Sequence, residues 1–294
     1  STAAENSNQN WISGVGTDGF TIGINEQNLS NTSGTYVAWQ WKCNEGTTSN
    51  LSGNLASVVQ VNADAGFSIV KYTGSGGNGQ SVLHGLGLTP EVIITKARNG
   101  ADNWYVYHKS IGNTKILKLN TADAEASSSV YSAAAVSSSA FFVSNNLIYV
   151  GELGADFISY CFAPIQGYSK FGSYVGNGSG TSDGTFEGPM VYTGFKPAWV
   201  MVKAASSSGG DEWVIWDNKR PRSNSTGNYI NNKLYANTTA AESGDVYDAV
   251  DFLSNGFKIR TGRAGANSSG RTYIYMAFAE NPFTTSTGIP TTAR

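Results

Sequence analysis

Acid–base chemistry in this chain would have to come from a small set of side chains. The candidate carboxylates are Asp102, Glu152, Asp156, Asp211 and Glu212. Glycoside hydrolysis needs two such groups facing each other across a cleft. None of the five recurs as a tight acidic motif. The histidines are His84 and His108. A Ser–His–Asp set around His108 lacks the Gly-x-Ser-x-Gly elbow that would present its nucleophile. At a strand end, His108 reads as a hydrogen-bonded surface residue. His84, in a glycine-rich turn, reads as a turn stabiliser. No catalytic residue is assigned, and the chain is expected not to be an enzyme.

Metal and cofactor chemistry fare no better. A zinc site needs more ligands than two histidines and Cys43 and Cys161 can supply. Two cysteines make no disulfide framework, although one bridge between them stays open. Asp245, Asp248 and Asp251 lack the glycine and glutamate of an EF-hand loop. The Gly74–Gly79 stretch is not followed by the Gly-Lys-Ser/Thr of a phosphate loop. No metal and no cofactor is expected. Sugar contact is a different chemistry, because exposed Trp and Tyr present an apolar face with a polar tip. Tyr107 and Trp216 hold equivalent positions in two strands and are the candidates for an exposed platform. Trp104 and Trp213, also equivalent, lie on the opposite face with Val106 and Ile215 and read as core.

Those positions are equivalent because the sequence repeats. Gly66–Gly74 and Lys170–Gly178 each read as a short strand running into a glycine turn. His84–Lys96 matches Thr193–Lys203: a glycine turn, a proline, then an apolar run ending in lysine. Asn103–Lys109 matches Glu212–Asn218, and Lys115–Asn120 matches Asn232–Asn237. A final strand occurs three times, at Tyr36–Trp41, Phe157–Phe162 and Tyr273–Phe278. Period-2 alternation places Val37, Trp39 and Trp41 on one face, matched by Ile158, Tyr160 and Phe162 and by Ile274, Met276 and Phe278. Before it, Asp18–Ile22 resembles Ser254–Ile259, with a looser copy at Ser139–Val143. The expected fold is therefore all-β, with tandem β-sandwich units of jelly-roll or lectin-like type, two complete and one partial at the N-terminus. The boundaries are 1–42 for the partial unit, 43–65 for a linker with one strand at 56–61, 66–168 and 169–283 for the complete units, and 284–294 for a tail. Short helices are allowed at 121–126 and 240–243. Stacked head to tail, the units would make a rod, with recognition in the divergent loops at 121–140 and 220–250.

Composition narrows the partners. Charged residues are 14% of the 294, against roughly 25% in average soluble domains, and the formal net charge is -2. Without a basic excess, nucleic acid is not an expected partner. Lys219-Arg220-Pro221-Arg222 reads as a solvated loop. No apolar run approaches the ~20 residues of a membrane helix, so no membrane insertion is expected.

Several of these segments resemble a phage-associated domain of unknown function found in tail-fibre and other virion proteins, notably of marine bacteriophages. They are Gly66–Gly74, His84–Gly87, Tyr160–Pro164, Gly167–Tyr174, Val191–Met201 and Ala277–Phe283. The resemblance covers most of residues 18 to 283 and carries no catalytic residues to transfer. It implies a virion location and a non-enzymatic structural role, most readily in a tail fibre or appendage that contributes to attachment to host-surface glycan. Other virion proteins would be the partners, and a homo-oligomer, a trimer above all, would suit a fibre. A capsid decoration protein and a polysaccharide depolymerase are the alternatives.

Overall fold

The computed structural model describes residues 2–282 apart from 6–10, 17–18, 24–28, 30–32, 44–48, 132–133, 145–149, 181–186, 207–210, 221–228 and 245–248. The fold is all-β, as expected, and its sheets are antiparallel. Among the described residues the helical content is one 3-10 turn at Lys109–Ile111. The helices allowed at 121–126 and 240–243 are absent.

An N-terminal hairpin consists of β1 (Ile12–Val15) and β2 (Phe20–Ile22). The first complete unit contains β3 (Ser49–Ser52), β4 (Ala56–Asn62), β5 (Phe67–Thr73), β6 (Gln80–Leu83), β7 (Val92–Ala97), β8 (Trp104–His108), β9 (Lys115–Lys118), β10 (Ala126–Ser127), β11 (Ala140–Val143) and β12 (Asp156–Phe162). The second contains β13 (Ser169–Val175), β14 (Met190–Tyr192), β15 (Pro197–Ala204), β16 (Val214–Asp217), β17 (Asn232–Tyr235), β18 (Ser243–Gly244), β19 (Val250–Leu253), β20 (Gly256–Ile259) and β21 (Thr272–Ala279).

The large sheet of the second unit runs β13-β21-β15-β16-β17-β18. That of the first runs β5-β12-β7-β8-β9-β10 in the same sense, then continues past β5 with β4 and β3. The strand order thus recurs with the sequence. Residues 49–62, expected within a linker, extend the sheet, because β4 pairs with β5 from Ser57↔Tyr72 to Asn62↔Phe67. Each large sheet is covered on one side by a small one, β6–β11 or β14-β20-β19. The core between the layers of the first unit includes Val70, Tyr72, Phe141 and Phe157, and that of the second Val191, Trp216, Phe257 and Tyr275.

The second side of each large sheet is also buried. Phe67, Val92, Val106, Leu117 and Phe162 from the first unit join Phe171, Trp199, Met201, Ile274, Met276 and Phe278 from the second in one apolar cluster. The units therefore pack sheet on sheet, and the head-to-tail rod is corrected. On the final strands one face gives Tyr160 and Phe162, or Ile274, Met276 and Phe278, to the core between units, with Ile158 only half-buried; the opposite face, expected to be small and polar, carries Phe157 and Cys161, or Tyr273 and Tyr275, into the unit's own core. Tyr36–Trp41 forms no strand. Its indoles fill the edge of the inter-unit cluster, with Trp41 5.3 Å from Phe278 and 6.2 Å from Phe162.

Polar groups inside such a stack need internal partners. His108, expected at the surface, is buried. Its Nδ1 accepts from the Ser110 N–H at 3.2 Å, so Nε2 carries the proton that meets the Tyr275 carbonyl at 3.2 Å across the interface. Burial pushes its pKa down from 6.5 to about 4, only partly offset by that carbonyl. Below the ordinary value the unfolded chain takes up a proton that the folded chain refuses, so stability is complete above about pH 6.5 and is lost as pH falls toward 4. By pH 5 the loss should reach about 2 kcal/mol. Urea midpoints at pH 7.5 and 5.0 check this: the wild-type difference should shrink by about that amount in His108→Gln. An unchanged difference would mean that His108 titrates normally.

Candidate ligand-binding surface

Neither sequence candidate for the sugar platform is exposed. Tyr107 is 6% and Trp216 1% exposed. Both point into their own unit's core, and Tyr107 meets Tyr131 edge-on at 5.9 Å. The reason is the double burial of the sheets: β8 and β16 have a small sheet on one face and the other unit beyond the second. Trp216 does line the floor of a cleft of about 430 Å³ with Asp211, Glu212 and Tyr235, but almost none of its surface is accessible there.

Of the two equivalent indoles, the one that reaches the surface is Trp104. Its counterpart Trp213 is buried, and the Trp213 Nε1–H donates to the Lys118 carbonyl of the first unit at 2.9 Å. Trp104 is half-buried and stacks on Tyr160, with ring centroids 6.4 Å apart and planes 17° apart. Residues 2–5 lie against this corner: the Glu5 N–H donates to the Arg98 carbonyl at 2.7 Å, the Asp102 N–H donates to the Thr2 carbonyl at 2.9 Å, and Glu5 pairs with Arg98 at 2.7 Å. Two clefts flank the indole. One, about 370 Å³, is lined by Glu5, Lys71, Arg98 and Tyr160, and the other, about 550 Å³, by Trp11, Leu119 and Ala236. Flat aromatic faces rimmed by cationic donors and a carboxylate acceptor can stack the C–H face of a sugar ring and hydrogen-bond its hydroxyls. Strand alternation could not find this site, because Trp104 and Trp213 share one pattern. The available signal was Tyr160 opposite Met276, a polar-tipped ring where the other copy has a fully apolar residue.

The carboxylates have fold roles that the repeat makes plain. Asn120 Oδ1 accepts the Trp104 N–H at 2.8 Å, and Asn120 Nδ2 donates to Asn103 Oδ1 at 2.9 Å. In the second unit Asn237 Oδ1 accepts the Trp213 N–H at 3.0 Å, and its Nδ2 donates to Glu212. Glu212 therefore stands where Asn103 stands, as the acceptor of a strand-end clamp. Asp102 accepts the Tyr105 hydroxyl at 2.8 Å, and its counterpart Asp211 takes Arg271 at 2.6 Å. Asp156 accepts the Thr73 hydroxyl at 2.7 Å, and Glu152 is exposed. Asp217 receives the Lys219 N–H at 2.9 Å, the same turn-capping role as His108. His84 receives the Leu86 N–H at 3.2 Å, stabilising its turn.

Cys43 and Cys161 are both free, so the open bridge is not made. Burial pushes the Cys161 thiol far up, which makes it inert. Among the described residues no group of three side chains is placed to hold a metal. Asp245 and Asp248 lie outside the described residues; Asp251 pairs with Arg260 at 3.4 Å. Of the divergent loops, 121–126 is spent on the interface: the Glu125 N–H donates to the Ala205 carbonyl at 2.9 Å and Lys203 donates to the Ala122 carbonyl at 3.0 Å.

Exposure separates the two equivalent indoles in energy. Trp213→Ala should cost about 3–5 kcal/mol, from lost contacts and the cavity it leaves. Trp104→Ala should cost at most about 2 kcal/mol, because a half-exposed ring gives up less buried area. Equilibrium urea unfolding of the two variants checks the difference, and equal losses would mean equal environments.

Comparison with curated proteins and with solved structures finds no match. A family model, the domain of unknown function DUF7483, matches residues 1–282, nearly the whole length, and the chain belongs to that family.

Proposed function

We propose that this chain is a non-catalytic structural protein of a bacteriophage particle, a component of a tail fibre or similar appendage that contributes to attachment by contacting host-surface glycan. The observation that carries the contact role is the half-buried Trp104–Tyr160 stack with a cleft on either side of the indole, on a scaffold that buries most of both faces of its large sheets. The virion setting rests on the resemblance of the repeat segments to phage-associated domains. The structural role is supported by Asp102, Asp156, Asp211 and Glu212, each of which bonds a side chain of its own unit. Other virion proteins are the proposed partners, and a trimer is the proposed assembly in a fibre. The sheet-on-sheet packing favours one second reading, a capsid decoration protein, since a compact double sandwich suits a shell surface as well as a shaft.

Two measurements test this. Purified chain applied to immobilised capsular and lipopolysaccharide fractions of the host should bind, and Trp104→Ala with Tyr160→Ala should weaken binding at least about tenfold, the loss of about 1.4 kcal/mol. Binding that survives both substitutions overturns the assigned surface; release of reducing ends from those fractions by the chain overturns the non-catalytic reading. Gold-labelled antibody on phage particles carrying the chain should mark the appendage. Label on the head selects the decoration reading.

A further inference from the structure

The surface around Trp104 carries charges that the repeat does not require. Register places Lys71, Ile158, Lys96 and Trp104 side by side across β5, β12, β7 and β8. Directly opposed residues share one face of a sheet. At ordinary strand spacing the row spans about 14 Å, more than one pyranose ring covers. Arg98 follows Lys96 by two residues and lines the same cleft as Lys71, Lys96, Trp104 and Tyr160. In the second unit the equivalent positions hold Ser173 for Lys71, Ala205 for Arg98 and Met276 for Tyr160. That unit builds the same strand order without a cation at either place. The fold of a unit therefore does not account for Lys71 and Arg98.

Lys96 is a different case. It is buried, and its ammonium donates to the Ala97 and Gly100 carbonyls at 2.5 and 3.0 Å, much as Lys203 donates to the Ala204 carbonyl in the second unit. It adds positive charge to the lining and turns its donors to the backbone. Lys71 is exposed and Arg98 half-buried. Arg98 shows what such a seat accepts, because its Nε–H donates to the Glu5 carboxylate at 2.7 Å. Asp156 and Asp102 also act on Arg98 and Lys96, but they do not line the cleft, and they accept from the Thr73 and Tyr105 hydroxyls. The Glu5 and Arg98 side chains are 54% and 32% exposed. An ion pair so open to water contributes little to stability, so another carboxylate can take the place of Glu5. The backbone bonds of Thr2 and Glu5 hold the segment without that side-chain contact.

We propose that the Trp104–Tyr160 surface binds an acidic saccharide, a polyuronate whose carboxylate sits on Arg98 and Lys71 in place of Glu5 while a ring stacks on Trp104. This rests on the glycan-contact reading of the same surface and adds the class of sugar. A guanidinium offers planar paired donors to a carboxylate, and the indole offers a flat face to the C–H side of the ring. An extended uronate chain repeats both features along the row.

The probes are a fluorescein-labelled oligogalacturonide and its carboxyl-reduced counterpart, each titrated with the full chain and followed by anisotropy. The oligogalacturonide should bind saturably and at least about tenfold more tightly than the neutral form. Arg98→Gln with Lys71→Gln should bring that ratio close to one. The second unit folds with Ser173 and Ala205 at these places, so thermal unfolding of the variant should stay near wild type. Glu5→Gln, which removes the competing carboxylate, should tighten oligogalacturonide binding severalfold. No binding of the oligogalacturonide overturns the inference, as does a ratio that the Arg98 and Lys71 substitutions leave unchanged, or Glu5→Gln that weakens binding. Inorganic phosphate competing as well as glucuronate would show an anion seat indifferent to sugar and would also overturn it. Equal binding of both probes, lost in Trp104→Ala, would sink the acidic class and leave the glycan-contact reading standing; that reading falls instead if the host fractions bind independently of Trp104 and Tyr160.

Discussion

Trp41, Phe162 and Phe278 meet in a triangle, and the rest of the architecture is built around it. The Phe162–Phe278 centroid distance is 6.1 Å, Trp41–Phe162 6.2 Å and Trp41–Phe278 5.3 Å, all in edge-to-face or near edge-to-face geometry. The three residues are the same position of the three copies of the final strand. Each edge-on pair contributes about 0.5–1.5 kcal/mol beyond its buried area. Phe67 and Phe171 flank the triangle at 4.8 Å from Phe162 and 5.8 Å from Phe278. One repeated aromatic thus draws the copies together through their sheet faces. Everything that distinguishes this molecule from a string of independent sandwiches follows from that contact.

Burying both faces of a sheet restricts what polar residues can do there. Several of those that remain form bonds across the interface or along their own strand ends. Trp213 donates to Lys118, His108 to Tyr275, and Trp39 to Asp217 at 3.2 Å. Lys96 and Lys203, equivalent lysines at the ends of apolar strands, each fold back on the next residue's carbonyl, at 2.5 and 2.9 Å. The lysines hold the same bond in both units because the strand end is the same. The histidine and tryptophan bonds differ between units because each unit faces the other from a different side.

Much of this was legible in the sequence. The segment pairs matched between the two complete units became strands at the same sheet position, because short apolar runs bounded by glycine and proline have little alternative. The apolar face read from alternation is buried throughout Tyr273–Phe278, and on Phe157–Phe162 it is buried at Phe162 and half-buried at Ile158 and Tyr160. What covered it was not readable, since alternation says which side chains leave water and not what they meet. The same limit explains Tyr107 and Trp216. Their alternation set them apart from Trp104 and Trp213, and the choice of exposed face then depended on a packing partner hundreds of ångströms of extended chain away. The linker expectation at 43–65 failed for a related reason: Ser, Asn and Gly around 49–55 look like a loop, yet β3 and β4 gain from an edge strand, β5, already in place.

The partial copy shows that a unit has two separable jobs. Its final-strand segment gives Trp39 and Trp41 to the shared core without forming a strand at all. Aromatic packing therefore needs only the side chains, brought in by a chain held in place by bonds such as Trp39 to Asp217. Its hairpin, by contrast, keeps strand pairing and has no large sheet beneath it to bury Phe20. In the complete units the two jobs are joined, because the final strand carries the shared aromatic on one face and the unit's own core on the other. Splitting them leaves the aromatic job done and the covering job open. Trp104 and Trp213 make the same point within the complete units: one repeated position is half-buried in the first and buried in the second, because what lies beyond the sheet differs.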